Sequence, residues 1–305
     1  MNAIQQRAVK DDTWINWDLK SNNPDVNAAT NACLVFINAM STEGWDREGL
    51  HDDESDNLVL NVASKCRNTI VVIHAAGIRL VDKWINHPNV SATILAHLPG
   101  QDSGTALVKL LYGEANFSGK LPYTIAKSEK DYSVYRPCGL AHEGDTDPQC
   151  DFTEGVYLDY RAFDKNNITP RFEFGYGLSY TKFEYNSISV KTLAPLRQCQ
   201  SNATTLWEKV SKIDVKVKNV GAVAGEEVAQ LYLGIPNSPP KQLRGFEKLV
   251  LAPGKTSTAS FELTRRDFSV WDVVAQKWVV QPGTYKIYVG ASSRDIRLHG
   301  SLSFS

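Results

Sequence analysis

Apolar runs that alternate with stretches of helical periodicity constrain the fold of this chain more than any other feature. The runs cover residues 34–37, 70–73 and 92–98. Between and after them, apolar residues recur every three or four positions, which predicts helices over 53–66, 78–85 and 103–111. Strands and helices that follow one another in this way need right-handed crossovers. The sequence therefore predicts an α/β sandwich, that is, a mostly parallel wound sheet with flanking helices.

From about residue 181 the period of the apolar residues changes to two, which predicts a second domain built of strands. Three alternating sets stand out: Ile213, Val215 and Val217; Ala229, Leu231 and Leu233; Tyr285, Ile287 and Val289. Turn-forming pairs recur between the sets, at Pro239-Pro240, Pro253-Gly254 and Pro282-Gly283. Short strands at this spacing are typical of an all-β sandwich.

These two patterns predict three segments along the chain. They are an α/β domain over residues 1–150, a connecting segment over 151–180 and a β-sandwich over 181–305. A chain of 305 residues is long enough for two domains, each with its own core. The connecting segment is too rich in tyrosine and phenylalanine for a free linker, and we expect it to pack along the seam between the domains.

The charge balance argues against two classes of partner. A formal net charge of -1 offers no clustered positive charge for nucleic acid or for an acidic membrane surface. We expect the basic doublet Arg265-Arg266 to be solvated surface. No segment approaches the roughly 18 consecutive apolar residues of a membrane span, and the first ten residues lack the apolar core of a signal peptide. The sequence also lacks a G-x-G-x-x-G fingerprint, which argues against a nucleotide cofactor.

The five cysteines leave the redox compartment open. Cys138 and Cys150 bracket a loop rich in turn formers, and a disulfide there would close a short loop. Two unpaired thiols are an equal alternative, and a zinc site that adds His142 is a third, although it lacks an evident fourth ligand. The acceptor pattern for N-glycosylation occurs at Asn89, Asn116, Asn167 and Asn202, and it matters only in a secreted protein.

The loop after the first apolar run carries a carboxylate close to an indole, Glu43 and Trp45. In sheets covered on both faces, the loops that leave the carboxyl ends of the strands hold the reactive groups. We therefore take this pair as half of a candidate active site, which His74 and His97 at the ends of the next two runs could also line. The alternative is that Glu43 is solvated and that Trp45 and both histidines serve packing.

A serine hydrolase site at Ser103 is the least favoured hypothesis. The loop before it has the order G-x-x-S-G, whereas a nucleophile elbow needs G-x-S-x-G. We expect Ser103 to cap the helix that follows.

Four stretches together resemble the carboxyl-terminal part of fungal β-glucosidases of glycoside hydrolase family three. They run from Cys33 to Trp45, from Asn68 to His74, from Leu98 to Pro122, and from Phe152 to Tyr180 with its Phe174-Gly-Tyr-Gly-Leu-Ser-Tyr180 motif. The segments from Pro239 to Lys248 and from Arg266 to Trp271 resemble the fibronectin type III-like domain that ends many of these enzymes.

The resemblance implies a retaining exo-glycosidase, without a cofactor, that releases terminal glucose from β-glucosides and cello-oligosaccharides. It implies that Glu43 is the catalytic acid/base, that Trp45 binds the leaving-group sugar, and that the protein is secreted. The family's attacking aspartate lies on an amino-terminal barrel that this sequence does not match. None of the nearby acidic residues, Asp46, Glu48, Asp52 and Asp53, matches it either.

We therefore expect this chain to be weakly active or inactive unless a barrel is supplied in trans, and we expect the start of its α/β domain to be curtailed. The alternative function is a non-catalytic module that binds carbohydrate or mediates assembly.

Overall fold

The computed structural model describes residues 1–44, 47–132, 151–196 and 203–304. The chain divides into two compact units. One comprises Met1–Ala115 and Ile125–Phe152, and the other comprises Asn116–Thr124 and Thr153–Ser305. The predicted fold class is confirmed, because the first unit holds a parallel sheet with helices and the second is built mainly of antiparallel strands.

The first unit has three strands and three α-helices in its described part. In chain order they are α1 (Asn2–Lys10), β1 (Cys33–Ala39), α2 (Asp53–Ala63), β2 (Thr69–Ala75), β3 (Val90–Leu95) and α3 (Ser103–Leu111). The strands pair in the order β1-β2-β3, and both pairings are parallel. All three apolar runs of the sequence thus become strands of one sheet.

The middle strand forms the centre of this unit. Val71, Val72 and Ile73 of β2 are fully buried, as β-branched residues are in a strand covered on both faces. Helix α2 turns Val59 and Val62 into the same core. It begins after Asp52, whose side chain accepts hydrogen bonds from the free amides of its first turn.

The predicted helix over 78–85 is wrong. The backbone N–H of Leu80 donates to the carbonyl of Leu50 at 2.8 Å instead of to a residue one turn back. The guanidinium of the neighbouring Arg79 is held by Asp56 and by two backbone carbonyls. These tertiary hydrogen bonds leave residues 78–80 outside any helix, and only turns from Val81 onwards follow the predicted period. Local periodicity is a weak signal where tertiary contacts compete with it.

The predicted cap at Ser103 is also displaced by one position. Ser103 is the first residue of α3, and the cap position belongs to Asp102, whose side chain makes no capping hydrogen bond.

A disulfide joins Cys33 to Cys66, with a Cα–Cα distance of 6.4 Å. The sequence pattern did not predict this pair. It connects the first residue of β1 to the segment that links α2 to β2. Cys138, His142 and Cys150, which carried the alternatives considered above, lie outside the described residues.

The second unit holds nine strands and two short helices in its described part. In chain order they are α4 (Tyr160–Lys165), β4 (Phe183–Thr192), α5 (Ala203–Leu206), β5 (Lys209–Asn219), β6 (Gly225–Gly234), β7 (Gln242–Leu251), β8 (Thr256–Thr264), β9 (Ser269–Asp272), β10 (Lys277–Val280), β11 (Gly283–Gly290) and β12 (Ile296–Phe304). They form one sheet in the order β4-β5-β8, another in the order β12-β11-β6-β7, and a hairpin of β9 with β10.

The core of this unit is formed by the sheet faces that carry the predicted alternating apolar residues. All members of the three alternating sets are fully buried: Ile213, Val215 and Val217 on β5, Ala229, Leu231 and Leu233 on β6, and Tyr285, Ile287 and Val289 on β11. Antiparallel strands of a sandwich show this alternation because one face of each sheet meets the core.

The aromatic connecting segment packs on the sandwich through Tyr160. The Tyr160 ring lies 4.8 Å from the ring of Phe174 and 5.9 Å from that of Tyr232, between centroids. Its hydroxyl accepts a hydrogen bond from the backbone N–H of Leu243 at 2.9 Å. These contacts fix the segment to the second unit.

The expectation that Arg265-Arg266 is solvated surface is wrong for its first residue. Arg265 is 4% exposed, and its guanidinium contacts Glu208 and the backbone carbonyls of Thr205 and Pro195. The guanidinium thus satisfies backbone and carboxylate acceptors in the segment between β4 and β5.

Candidate active site

Glu43 lies in a loop at the carboxyl end of β1, and its side chain is exposed. The chain turns there at Gly44, whose φ of +77° suits glycine because it has no Cβ. The neighbouring Trp45, predicted as a sugar platform, lies outside the described residues. The Glu43 side chain therefore lies at the edge of the sheet that the sequence predicts, and a ligand can reach it there.

Hydrogen bonds to two other segments anchor the far side of this loop. Arg47 donates to the carbonyl of Ile78 at 3.0 Å, which ties the loop to the segment after β2. The carboxylate of Glu129 accepts from the backbone N–H of Leu50 at 2.5 Å and lies 3.1 Å from Nδ1 of His51. These contacts restrict the path of the chain that follows Glu43.

Gly49 lies against this anchor. A Cβ added at Gly49 would lie 2.9 Å from Oε1 of Glu129, the same atom that accepts from Leu50. A larger residue would displace the carboxylate or the loop. Because Oε1 is the end of a flexible side chain, a small residue at Gly49 could be accommodated by a shift of the Glu129 carboxylate.

A buried ion pair lies beside the anchored loop. Asp56 on α2 accepts from the Arg79 guanidinium at 2.8 Å and from Nε1 of Trp84 at 2.7 Å. Arg79 also donates to the backbone carbonyls of Asp52 and Leu80. This cluster was not predicted from the sequence, although Asp56 on the inner face of a predicted helix was a signal for it.

The parallel register brings the ends of all three strands to one edge. Asn38 of β1 pairs with His74 of β2, and the amide of Ala96, after β3, donates to the carbonyl of Ile73. His97 follows directly, with a φ of 52°. The loop with Glu43 and the two predicted histidines thus leave the same end of the sheet, as the sequence predicts.

The chemistry available at this edge is proton transfer by a carboxyl group. Within the described ranges, no three His, Cys, Asp or Glu side chains lie together as a metal site would need. Glycosidases that retain configuration use two carboxyl groups about 5 Å apart, one as nucleophile and one as acid/base. The exposed carboxyl group of Glu43 lies at this edge and is chemically able to give or take a proton.

The predicted glycosylation sites differ in what their amide groups do. Asn116 donates to the carbonyl of Ala224 at 2.9 Å and accepts from Ser179 and from the N–H of Tyr180. Asn89 donates to the carbonyl of Ala63 at 2.8 Å. Asn167 is exposed, at a φ of 53° just after α4. Asn202 lies outside the described residues.

Comparison with known protein families gives two matches. Residues 1–180 match the glycosyl hydrolase family 3 C-terminal domain, and residues 227–293 match a fibronectin type III-like domain. In the part of the chain that the structure describes, no helix is both long enough and apolar enough to cross a membrane.

Individual relatives match nearly the whole chain. Beta-glucosidase cel3A of Pyricularia oryzae is 67% identical over 302 residues, which are 98% of this chain and 39% of the relative. Probable beta-glucosidase M of Neosartorya fischeri is 56% identical over 99% of this chain and 40% of its own length. The crystal structure of a beta-D-glucoside glucohydrolase from Trichoderma reesei aligns with a TM-score of 0.90 and 40% identity, over all of this chain and 45% of that one. The chain thus spans about two fifths of the length of the curated relatives it matches.

Proposed function

Because this chain belongs to glycosyl hydrolase family 3, we propose that it supplies the proton donor for the hydrolysis of terminal β-D-glucosyl residues, and that Glu43 is this donor. The observation that carries the proposal is the placement of an exposed carboxyl group in the loop after β1, at the carboxyl edge of the parallel sheet. The names of relatives that are 67% and 56% identical support the substrate class.

In the proposed reaction Glu43 acts twice. It first gives its proton to the glycosidic oxygen while a second carboxylate attacks the anomeric carbon and the aglycone leaves. As a carboxylate it then takes a proton from the water that attacks the glycosyl-enzyme bond, which releases glucose with its β configuration retained. The sugar substrate and both proton transfers need no cofactor.

The second carboxylate and the first sugar subsite are proposed to come from a barrel domain outside this sequence. A proton donor works best where surrounding groups exclude water, and Glu43 is exposed. The barrel and the bound sugar would provide this shielding. The indole of Trp45 would offer the leaving-group sugar a flat apolar face.

Two observations support a secreted location. Disulfides persist mainly in oxidising compartments, and the structure joins Cys33 to Cys66. Asn167 is exposed within one of the predicted glycosylation motifs.

The test is an assay of an aryl β-glucoside with this chain alone and with the chain joined to the part of the Pyricularia oryzae relative that it does not cover. We expect turnover only in the joined protein. Glu43→Gln should lower its kcat about 100- to 10,000-fold, as the loss of general acid/base catalysis does. Glu48→Gln, an exposed carboxylate in the same loop, is the matched control and should leave kcat unchanged.

Added azide distinguishes the role of Glu43 from a structural one. Azide needs no general base, so it should restore turnover of Glu43→Gln on an activated aryl glucoside and yield β-glucosyl azide. Full activity of Glu43→Gln, or turnover by the chain alone that Glu43→Gln leaves intact, would contradict the proposal.

A further inference from the structure

Two arginines of the β-sandwich unit line one surface cleft of about 270 Å³. Arg244 lies on β7, and Arg266 lies in the 3-10 turn that follows β8. Leu243, Gly245, Phe246 and Asp267 complete the lining. Typical pockets for drug-sized ligands measure about 300–1,000 Å³, so this cleft suits a group the size of a single ring.

The guanidinium of Arg244 donates only to neutral oxygens of the described residues. It donates to the carbonyl of Asp267 at 2.8 Å, to that of Leu243 at 3.2 Å and to the side-chain amide oxygen of Gln242 at 3.1 Å. Burial lowers the pKa of Arg244, and the nearby charge of Asp267 opposes this shift. A partly buried cation without a bonded anion is unfavourable, so a bound anion would stabilise it.

The one carboxylate in the cleft is used elsewhere. Oδ2 of Asp267 accepts from the backbone N–H of Thr264 at 2.8 Å and from its hydroxyl at 2.7 Å. It closes the 3-10 turn as part of a capping box. Within the described residues, neither arginine forms an ion pair with it.

Arg266 presents unused donors to the same cleft. Its guanidinium carbon lies 3.2 Å from the centroid of the Trp278 ring, and Trp278 in turn packs edge-on against Trp271 at 5.4 Å. Among the residues that the structure describes, no side chain or carbonyl accepts from its N–H groups. A guanidinium stacked on an indole keeps its N–H edge free, in a geometry that matches a carboxylate.

Phe246 adds an apolar face beside these cations. The residue is 67% exposed, so its ring is open to a ligand in the cleft. An aromatic ring in this position can stack against the C–H face of a sugar ring. A ligand that uses all three groups must carry a negative charge on a ring with an apolar face.

We propose that this cleft binds a hexuronic acid residue of an acidic glycan. The carboxylate lies against Arg266 and Arg244, and the apolar face of the pyranose ring lies against Phe246. A neutral sugar would add no counter-charge to that of Asp267, which lines the same cleft, and a small carboxylate such as acetate would leave Phe246 without a partner. The cleft recognises glycan whether or not Glu43 takes part in catalysis.

The test is a calorimetric titration of the full chain with tetragalacturonate, with cellotetraose and with acetate. We expect tetragalacturonate to bind with a Kd at least about tenfold lower than either of the others. Its affinity should fall when the salt concentration rises from about 50 to about 500 mM, since salt screens exposed charges.

Three substitutions locate the site. Arg266→Gln should raise the Kd for tetragalacturonate about tenfold, and Arg266→Lys should raise it less because charge remains while the planar donor pair is lost. Phe246→Ala should also weaken binding, and its exposed side chain makes this variant safe for folding even if Arg266→Gln lowers the melting temperature. Arg67→Gln, an exposed arginine of the first unit, is the matched control.

Tetragalacturonate that binds no better than cellotetraose, binding that Arg266→Gln and Phe246→Ala leave unchanged, or an absence of binding at millimolar concentration would each overturn the proposal. Glu43→Gln separates the two functions. It should leave tetragalacturonate binding intact, so that failure of the proposed catalytic role would not alter this result.

Discussion

Asp56 and Arg79 form an ion pair 2.8 Å long in which each residue is only 1% exposed. Removing one member of such a pair leaves the other charged and buried. We expect Asp56→Asn to lower the free energy of unfolding by about 3–5 kcal/mol. Denaturant titration, monitored by tryptophan fluorescence, would measure this loss, because Trp84 also donates to Asp56.

The matched control for that variant is Asp53→Asn. Asp53 forms an ion pair with Lys83 at 2.7 Å, but both side chains are largely exposed. Exposed pairs contribute little, so the stability of Asp53→Asn should stay close to that of the parent. An equal loss of stability in both variants would show that burial does not set the contribution of the ion pair between Asp56 and Arg79.

The disulfide between Cys33 and Cys66 closes a loop with a sequence separation of 33. For a loop of this length the chain-entropy model gives about 3–4 kcal/mol of stabilisation. We expect the double substitution Cys33→Ser with Cys66→Ser to lower the melting temperature of the first unit. Adding a reductant to the parent protein should lower its melting temperature by a similar amount. The double substitution Cys138→Ser with Cys150→Ser tests whether those two cysteines form the bridge considered from the sequence. A parent protein whose melting temperature does not change on adding reductant would contradict a stabilising role for the disulfide between Cys33 and Cys66.

The carboxylate of Asp52 should contribute a pH-dependent part of the stability. The hydroxyl of Ser55 and the backbone N–H groups of Glu54 and Ser55 hold the pKa of Asp52 below its usual value. A group whose folded pKa is depressed stabilises the protein above the unfolded pKa, about 3.9 for aspartate, and loses this effect as the pH falls through the folded pKa.

Loss of the cap in Asp52→Ala should therefore cost about 1 kcal/mol near neutral pH. The difference from the parent should shrink as the pH falls below about 3.9. Denaturant unfolding measured at several pH values would show this convergence. A difference that stays constant down to acid pH would mean that Asp52 acts through packing alone.

Glycosylation should distinguish Asn167 from Asn116. The amide of Asn116 is occupied by three hydrogen bonds, whereas Asn167 is exposed at the end of α4. Because a glycan replaces an amide hydrogen and needs open space, we expect occupancy at Asn167 in a secretory host and none at Asn116. Mass spectrometry of tryptic peptides would measure both. A glycan on Asn116 would contradict the prediction.

The β-sandwich was predictable from local pattern alone. The alternation at Ile213, Val215 and Val217 depends only on the pleat of one strand, and each of these side chains is fully buried. The helix prediction for residues 78–85 was wrong for the opposite reason. The hydrogen bond from Leu80 to Leu50 connects residues 30 positions apart, which no local pattern relates.

The position of the candidate site was predictable from the sequence, but the contacts that hold its loop in place were not. The end of a strand is a local feature, so the loop with Glu43 could be placed from the sequence. The contact of Glu129 with Leu50 joins residues 79 positions apart, and the disulfide joins two cysteines 33 positions apart. The observed parallel register of β1 with β2 places Cys33 opposite Thr69, three residues after Cys66. The apolar pattern predicts both strands but does not set this register.

The disulfide also encloses Glu43 in a covalent ring that runs from Cys33 to Cys66. A protease that cuts the exposed loop around Glu43 would therefore leave both pieces attached to each other. Such nicked protein would migrate as an intact band on a non-reducing gel and separate into two fragments only after thiol treatment. Batches that look homogeneous without reductant can thus differ in the integrity of the loop on which the proposed chemistry depends.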